Sequence, residues 1–232
     1  MMLEIFAWFL GTVLVATVTA LLAKHYGVGF LVAVFTASVV VANVVASKIV
    51  MIGPFAVSAG LVAYSVTFLM TDAISEFWSK RESQKAVVAG FIGLVMMVLV
   101  TQLSLRLAPA DFWTGQEAFA SVFANTWRVA LASFIAYVIA QYHDVWAYHF
   151  WMEKTGRKHL WIRNNASTWV SQIIDTFIFT TIAFYGIFPV MTIITGEIIL
   201  KIMIAIFDTP FLYFIRWYYE KRSPRWQAKE AL

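Results

Sequence analysis

The chain has 232 residues, of which 61% are hydrophobic and 13% charged, with a mean hydropathy of +0.77 and a formal net charge of +4. So little polar surface cannot coat a water-soluble globule, and the composition is that of an integral membrane protein. The absence of cysteine excludes disulfides, thiolate catalysis and thiolate metal sites.

Seven apolar runs follow one another at 5–23, 28–47, 57–78, 85–105, 129–150, 167–187 and 190–215. Several reach the ~20 residues that a helix needs to cross a hydrocarbon core. Period-2 alternation punctuated by turns is absent, which argues against a β-barrel. The expected fold is all-α, a polytopic transmembrane helical bundle read as one integral membrane domain over residues 1–232. Within it, 1–27 forms an extra N-terminal helix, 28–217 a core of six helices, and 218–232 a cytoplasmic basic tail. Run one carries Glu4 and no Lys or Arg ahead of it, a poor start for a secretory signal, so it is kept as a helix; six and seven spans are both open. The longest connection, 106–128, holds Pro109 and the aromatic patch FWTGQEAF, and reads as an interfacial or re-entrant stretch.

Basic residues fall on alternate sides of these runs. One side collects Lys24, Lys80, Arg81, Lys85, Lys154, Arg157, Lys158, Arg163, Arg216, Lys221, Arg222, Arg225 and Lys229 out of 17 Lys and Arg in all. The other receives Lys48, Arg106 and Arg128, while Lys201 lies inside a run. This asymmetry predicts a cytoplasmic C-terminus and explains the positive charge as a topology signal, so no nucleic-acid partner is expected; the bilayer is the partner. Most of the ten tryptophans lie near the run edges, where an amphipathic ring sits best.

Polar groups inside the runs are the candidates for function, because each charge held there needs a partner, a cavity or a role. Counting the helical rise from the run ends places Asp72 about 12 Å deep, Asp144 about 13 Å, and Asp175 and Lys201 about 15 Å each, which predicts one shared layer. Asp72 and Glu76, Gln141 and Asp144, Gln172 and Asp175, and Glu197 and Lys201 are spaced three or four residues apart, so each pair occupies one helix face. Turning those faces together makes a polar cavity in an apolar wall, with Asn43 and Lys48 at its outer part. Simpler readings stand beside this one. Glu197 and Lys201 neutralise each other, Glu76 is a solvated helix end, Gln141 and Gln172 are interhelical hydrogen-bond glue, and Asp208 satisfies backbone freed by Pro210. His143 and His149 are six positions apart, on opposed helix faces, so a metal site there is set aside. HExxH, GxSxG and GxxxxGK[ST] are absent, and the chain is not read as an enzyme.

The segments ANVVASKIV (42–50), TFLMTDAISEFWSK (67–80), FWTGQEAF (112–119), RVALASFIAYVIAQYHD (128–144), KHLWIRNNAST (158–168), SQIIDTFIFTTIAFYG (171–186) and LKIMIAIFDTP (200–210) closely resemble the queuosine precursor transporter family, which is vitamin-uptake-transporter-like. The resemblance implies uptake of 7-deazapurines that feed tRNA modification, chiefly 7-cyano-7-deazaguanine and 7-aminomethyl-7-deazaguanine. It also implies a fold like the six-helix substrate-binding components of vitamin transporters, with no cofactor and no dedicated ATPase. The family-typical polar positions are Asn43, Lys48, Asp72, Glu76, Gln116, Arg128, Gln141, Arg163, Ser167, Gln172, Asp175 and Lys201. Asp208 departs from that pattern.

A guanine-like edge presents N1–H and a 2-amino group side by side, which one carboxylate accepts as a pair, while O6 takes an amide or cationic donor. Asp175 or Asp72 is expected on that edge, and Gln172, Gln141 or Asn43 on O6 or the 7-substituent. A ring such as Phe68 is expected to stack on the base. The substrate-binding set is thus Asn43, Lys48, Asp72, Glu76, Gln141, Gln172, Asp175 and Lys201. Proton coupling and facilitated diffusion are both open, as is a homodimer. The alternative function is a vitamin-like binding component that needs a separate ATP-driven partner.

Overall fold

The computed structural model describes residues 2–46, 48–123, 126–156 and 158–221; the side chains of 2–6, 126, 130, 220 and 221 are not described. Arg157, Arg222, Arg225 and Lys229 of the basic side lie outside the described residues. Eight helices are present among the described residues: α1 (Met2–Tyr26), α2 (Gly29–Val45), α3 (Leu61–Phe77), α4 (Lys80–Arg106), α5 (Gln116–Phe123), α6 (Thr126–Lys154), α7 (Leu160–Phe184) and α8 (Val190–Lys221). Three of them, α1, α4 and α8, are long and apolar enough to cross a membrane by length and composition, and α5 with α6 adds a fourth if the bent pair is one span. α3, with 17 residues, is too short to count among them, and α7 is made less apolar by the interior polar side chains described below.

Every residue of α3 except Tyr64 is buried, so this is the central helix of the bundle. A helix that hides its polar face as well as its apolar one must face protein on all sides. α1, α2, α4, α6 and α8 surround it, and α7 packs along α6 and α8. The apolar core runs through Phe35, Val66, Leu69, Ile74, Leu94, Tyr137, Tyr148 and Leu212, joining helices from both halves of the chain. The outward faces of α4 and α6 expose Ile92, Met96, Leu99, Leu131 and Trp146, the surface expected against lipid.

Local sequence sets the helix ends. Ser79 caps α4, its hydroxyl accepting from the Glu82 N–H at 3.3 Å, the Ser-x-x-Glu arrangement of a capping box. Arg128 of α6 donates to the carbonyls of Ile182 at 2.6 Å and Tyr185 at 2.7 Å, and so satisfies acceptors at the end of α7 that have no helical partner. α1 belongs to the bundle: Val13, Ala16, Ala20 and Ala23 form its buried stripe, and the Lys24 ammonium reaches the carbonyls of Tyr218 and Tyr219 in α8.

Between α2 and α3 the chain forms a two-stranded antiparallel hairpin, β1 (Ile49–Ile52) and β2 (Phe55–Ser58), which the apolar pattern does not announce. Gly53, at φ +58°, opens its two-residue turn with Pro54, a conformation that favours glycine. Strand β2 lies against α8 at Gly196, where an added Cβ would crowd the Ala56 carbonyl and the Phe55 side chain. α5 buries none of its side chains, so the aromatic stretch before α6 is a surface helix.

Candidate functional site

The hairpin and the short helices beside it create the site. α2 ends at Val45 and α3 begins at Leu61, and the space between them and α7 and α8 is a cavity of about 40 Å³. Gly60 makes the turn into α3 possible, since any side chain there would overlap the Ala42 carbonyl. The Ser58 hydroxyl donates to the Ala46 carbonyl at 3.1 Å, tying the hairpin to α2.

Asn43, Tyr64, Ser133, Asp175, Phe179, Glu197 and Lys201 line this cavity. Lys201 is its electrostatic centre: Nζ lies 2.9 Å from Asp175 Oδ2, 2.9 Å from Thr176 Oγ1 and 3.4 Å from Glu197 Oε2. The Tyr64 hydroxyl donates to Asp175 Oδ1 at 2.8 Å, and its ring centroid lies 5.5 Å from the ammonium. Glu197 Oε1 accepts the backbone N–H of Ser58 at 3.2 Å. Asn43 donates to the Val39 carbonyl at 2.9 Å, and its Oδ1 has no donor. Two acids against one ammonium, with an amide oxygen to spare, make a cavity suited to a small molecule rich in N–H groups.

A second polar level lies inward along α3. Thr71 and Asp72 sit two turns beyond Tyr64, about 11 to 12 Å along the axis. Thr168 donates to Asp72 Oδ2 at 3.3 Å, and the Thr71 hydroxyl lies 3.5 Å from Asp144 Oδ2. The Asp144 carboxyl lies beside the Asp72 carboxyl and near the hydroxyls of Ser167 and Ser171. Gln141 donates to Thr67 Oγ1 at 3.0 Å, and Gln172 is buried with its Oε1 lacking a donor. Asp208 of α8 is also buried here, next to Asn164.

A third level closes the column. Arg163, fully buried at 0% exposure, holds Glu76 in a two-pronged ion pair through Nε, at 3.1 Å, and Nη2. Tyr148 donates to the same carboxylate at 2.8 Å, and Arg216 Nη1 is 3.6 Å away. Glu76 is therefore an interior ion-pair partner and not a solvated helix end.

The sequence-predicted residues thus divide among three levels. Asn43, Asp175 and Lys201 meet in the cavity, Asp72, Gln141 and Gln172 form the middle level, and Glu76 belongs to the inner network. Lys48 is exposed and outside the cavity lining. The single layer expected from depth counting is corrected to these levels, because Tyr64, which meets Asp175, lies two turns before Asp72 on α3, an offset between helices that counting along each one does not show. Phe68 is buried with its edge against Tyr64, at 5.7 Å and 80°, so the rings that face the cavity are Tyr64 and Phe179. Sequence reasoning missed Tyr64 and Tyr148, and it left Arg163 and the hydroxyls of Thr71 and Thr168 out of the site. For Tyr64 and Thr71 the signal was a polar stripe on α3 at 64, 67, 71, 72, 75 and 76, which recurs every three or four residues.

A membrane-embedded helical bundle with a cavity at one end and a closed polar column leading from it is a small-molecule transporter. The family described as "Putative vitamin uptake transporter" matches residues 58–215, and the chain belongs to it. A protein of Bacillus subtilis (strain 168) called "Probable queuosine precursor transporter" is 34% identical over 178 residues, covering 75% of this chain and 78% of that protein. A protein of Haemophilus influenzae with the same description is 26% identical over 126 residues, covering 54% of this chain and 51% of that one. No solved structure matches the chain.

Proposed function

We propose that the chain, as one membrane domain, imports 7-deazaguanine precursors such as 7-cyano-7-deazaguanine into the cytoplasm. The description shared by its two relatives supports the substrate class. The observation that carries the reading is the Asp175–Lys201 pair set in a cavity beside the Tyr64 and Phe179 rings. A carboxylate accepts the N1–H and 2-amino edge side by side, an ammonium donates to O6, and an aromatic face stacks on the base for about 1 to 3 kcal/mol. Asp175 now holds Tyr64 and Lys201; an arriving base exchanges with one of them, and the free Oδ1 of Asn43 offers a further acceptor.

Uptake of radiolabelled 7-cyano-7-deazaguanine by cells expressing the chain tests this. Asp175→Asn removes one charge-assisted contact of roughly 1.5 to 3 kcal/mol, so uptake at low substrate falls by about one to two orders of magnitude. An Asp175→Asn chain that reaches the membrane normally and transports like wild type overturns the assignment. The purified chain in liposomes is expected to move substrate by itself; binding without movement would mean that an ATP-driven partner is required. We further propose that transport is driven by protons, which predicts loss of accumulation when the proton gradient is collapsed in sealed vesicles.

A further inference from the structure

The middle level of the column contains carboxyl groups with no positive partner among the described residues. Asp72 and Asp144 are 1% and 0% exposed. Among the described residues, the ion pairs of the interior take Glu76 to Arg163 and Arg216, and Asp175 and Glu197 to Lys201, leaving none for these two. Two neighbouring carboxylates, both ionised in a water-poor interior without a counter-charge, repel each other and lack solvation. A second observation points the same way. Thr168 and Thr71 approach Oδ2 of Asp72 and Oδ2 of Asp144, but Oδ1 of each acid has no donor. The Oε1 of Gln141, one turn from Asp144, has none either. The level is short of hydrogen, and a proton supplies hydrogen and charge together without needing space.

We propose that Asp72 and Asp144 together bind one exchangeable proton and are the coupling site of transport. This rests on the reading of the chain as an importer of deazaguanines. The groups facing the pair are Glu76 and the Thr71 hydroxyl from α3, Tyr148 from α6, the hydroxyls of Ser167, Thr168 and Ser171 from α7, and Asp208 from α8, with Arg163 beyond them on Glu76 and Tyr64 and Asp175 one level outward. His143 touches the pair at one remove, its Nδ1 2.8 Å from Ser171 Oγ. Asp175, Glu197 and Glu76 are committed to cations, so a proton taken there would compete with an ion pair. The Asp72–Asp144 pair sits between the substrate cavity and the Arg163–Glu76 network. A proton arriving with substrate from the cavity side forms one O–H bond on the pair and removes one of its charges. The same bond breaks when the proton leaves on the cytoplasmic side.

Infrared difference spectroscopy of the purified chain in lipid reads the proton directly, whatever the substrate. A pH-dependent carbonyl stretch of a protonated carboxyl is expected, shifted by aspartate carrying a heavy carbon isotope in its side-chain carboxyl and lost in both Asp72→Asn and Asp144→Asn. In proteoliposomes, an inward gradient of one pH unit raises wild-type accumulation of 7-cyano-7-deazaguanine by up to about tenfold for one-to-one coupling, and Asp144→Asn abolishes that stimulation. Three results overturn the proposal: no such carboxyl band, a band that survives both substitutions, or stimulation by a sodium gradient in place of protons. Wild-type liposomes that transport no deazaguanine would refute the substrate reading, while the infrared band still decides the proton site.

Discussion

At the scale of single residues, the inner network shows how sharply context sets the worth of a charge. Glu76 and Arg163 were both legible as polar positions, yet nothing in the sequence says that they meet across α3 and α7. The pair lies in a fully enclosed place, where removing one partner strands the other, at a cost of about 3 to 5 kcal/mol. Glu76→Gln is therefore expected to lower the thermal midpoint of the purified protein well below wild type. The double replacement Glu76→Gln with Arg163→Met is expected to recover much of the loss, because it removes the fully buried cation together with its partner. Equal destabilisation by the single and double variants would show that the network holds the bundle by something other than charge compensation. Asp208 was expected to serve the backbone at Pro210; the structure instead turns it toward Asn164 and the middle acids, in a helix that continues through the proline.

At the scale of elements, close approaches between helices decide the shape of the interior. Gly90 of α4 sits where a side chain would overlap the Tyr137 hydroxyl and the Phe35 ring, so α2, α4 and α6 converge there. The Tyr137 hydroxyl completes the junction by donating to the Val87 carbonyl at 2.8 Å. Replacing Gly90 by valine forces these rings apart, and overpacking of this kind costs typically about 1 to 3 kcal/mol. The measurement is a thermal unfolding midpoint in detergent, and an unchanged value would mean that the junction yields without loss. In a chain rich in small residues, the sequence does not single out this contact. The hairpin is the larger surprise. Its residues are too apolar and too few to separate from the neighbouring runs by period, and only its antiparallel pairing and its seat on Gly196 show that it folds back to roof a cavity.

At the scale of the whole molecule, the absence of native cysteine makes topology directly measurable. With the basic side cytoplasmic, a single Thr155→Cys is expected to resist a membrane-impermeant thiol reagent in intact cells, and a single Asp111→Cys to react. The opposite pattern would invert the proposed orientation and with it the direction of import. By itself the sequence determined that this chain lives in a membrane, that it is helical, roughly where each long helix runs, and which side carries the positive charge. Those properties follow from composition and from runs of side chains matched to the bilayer, which are local quantities. It also marked the interior polar residues, since any charge in an apolar run is conspicuous. Only the tertiary structure decided how they are grouped. Asp175 shares Lys201 with Glu197, Glu76 takes Arg163, and Asp72 and Asp144 are brought together beside Asp208, because the rotation and depth of each helix are set by packing between helices that lie far apart in sequence.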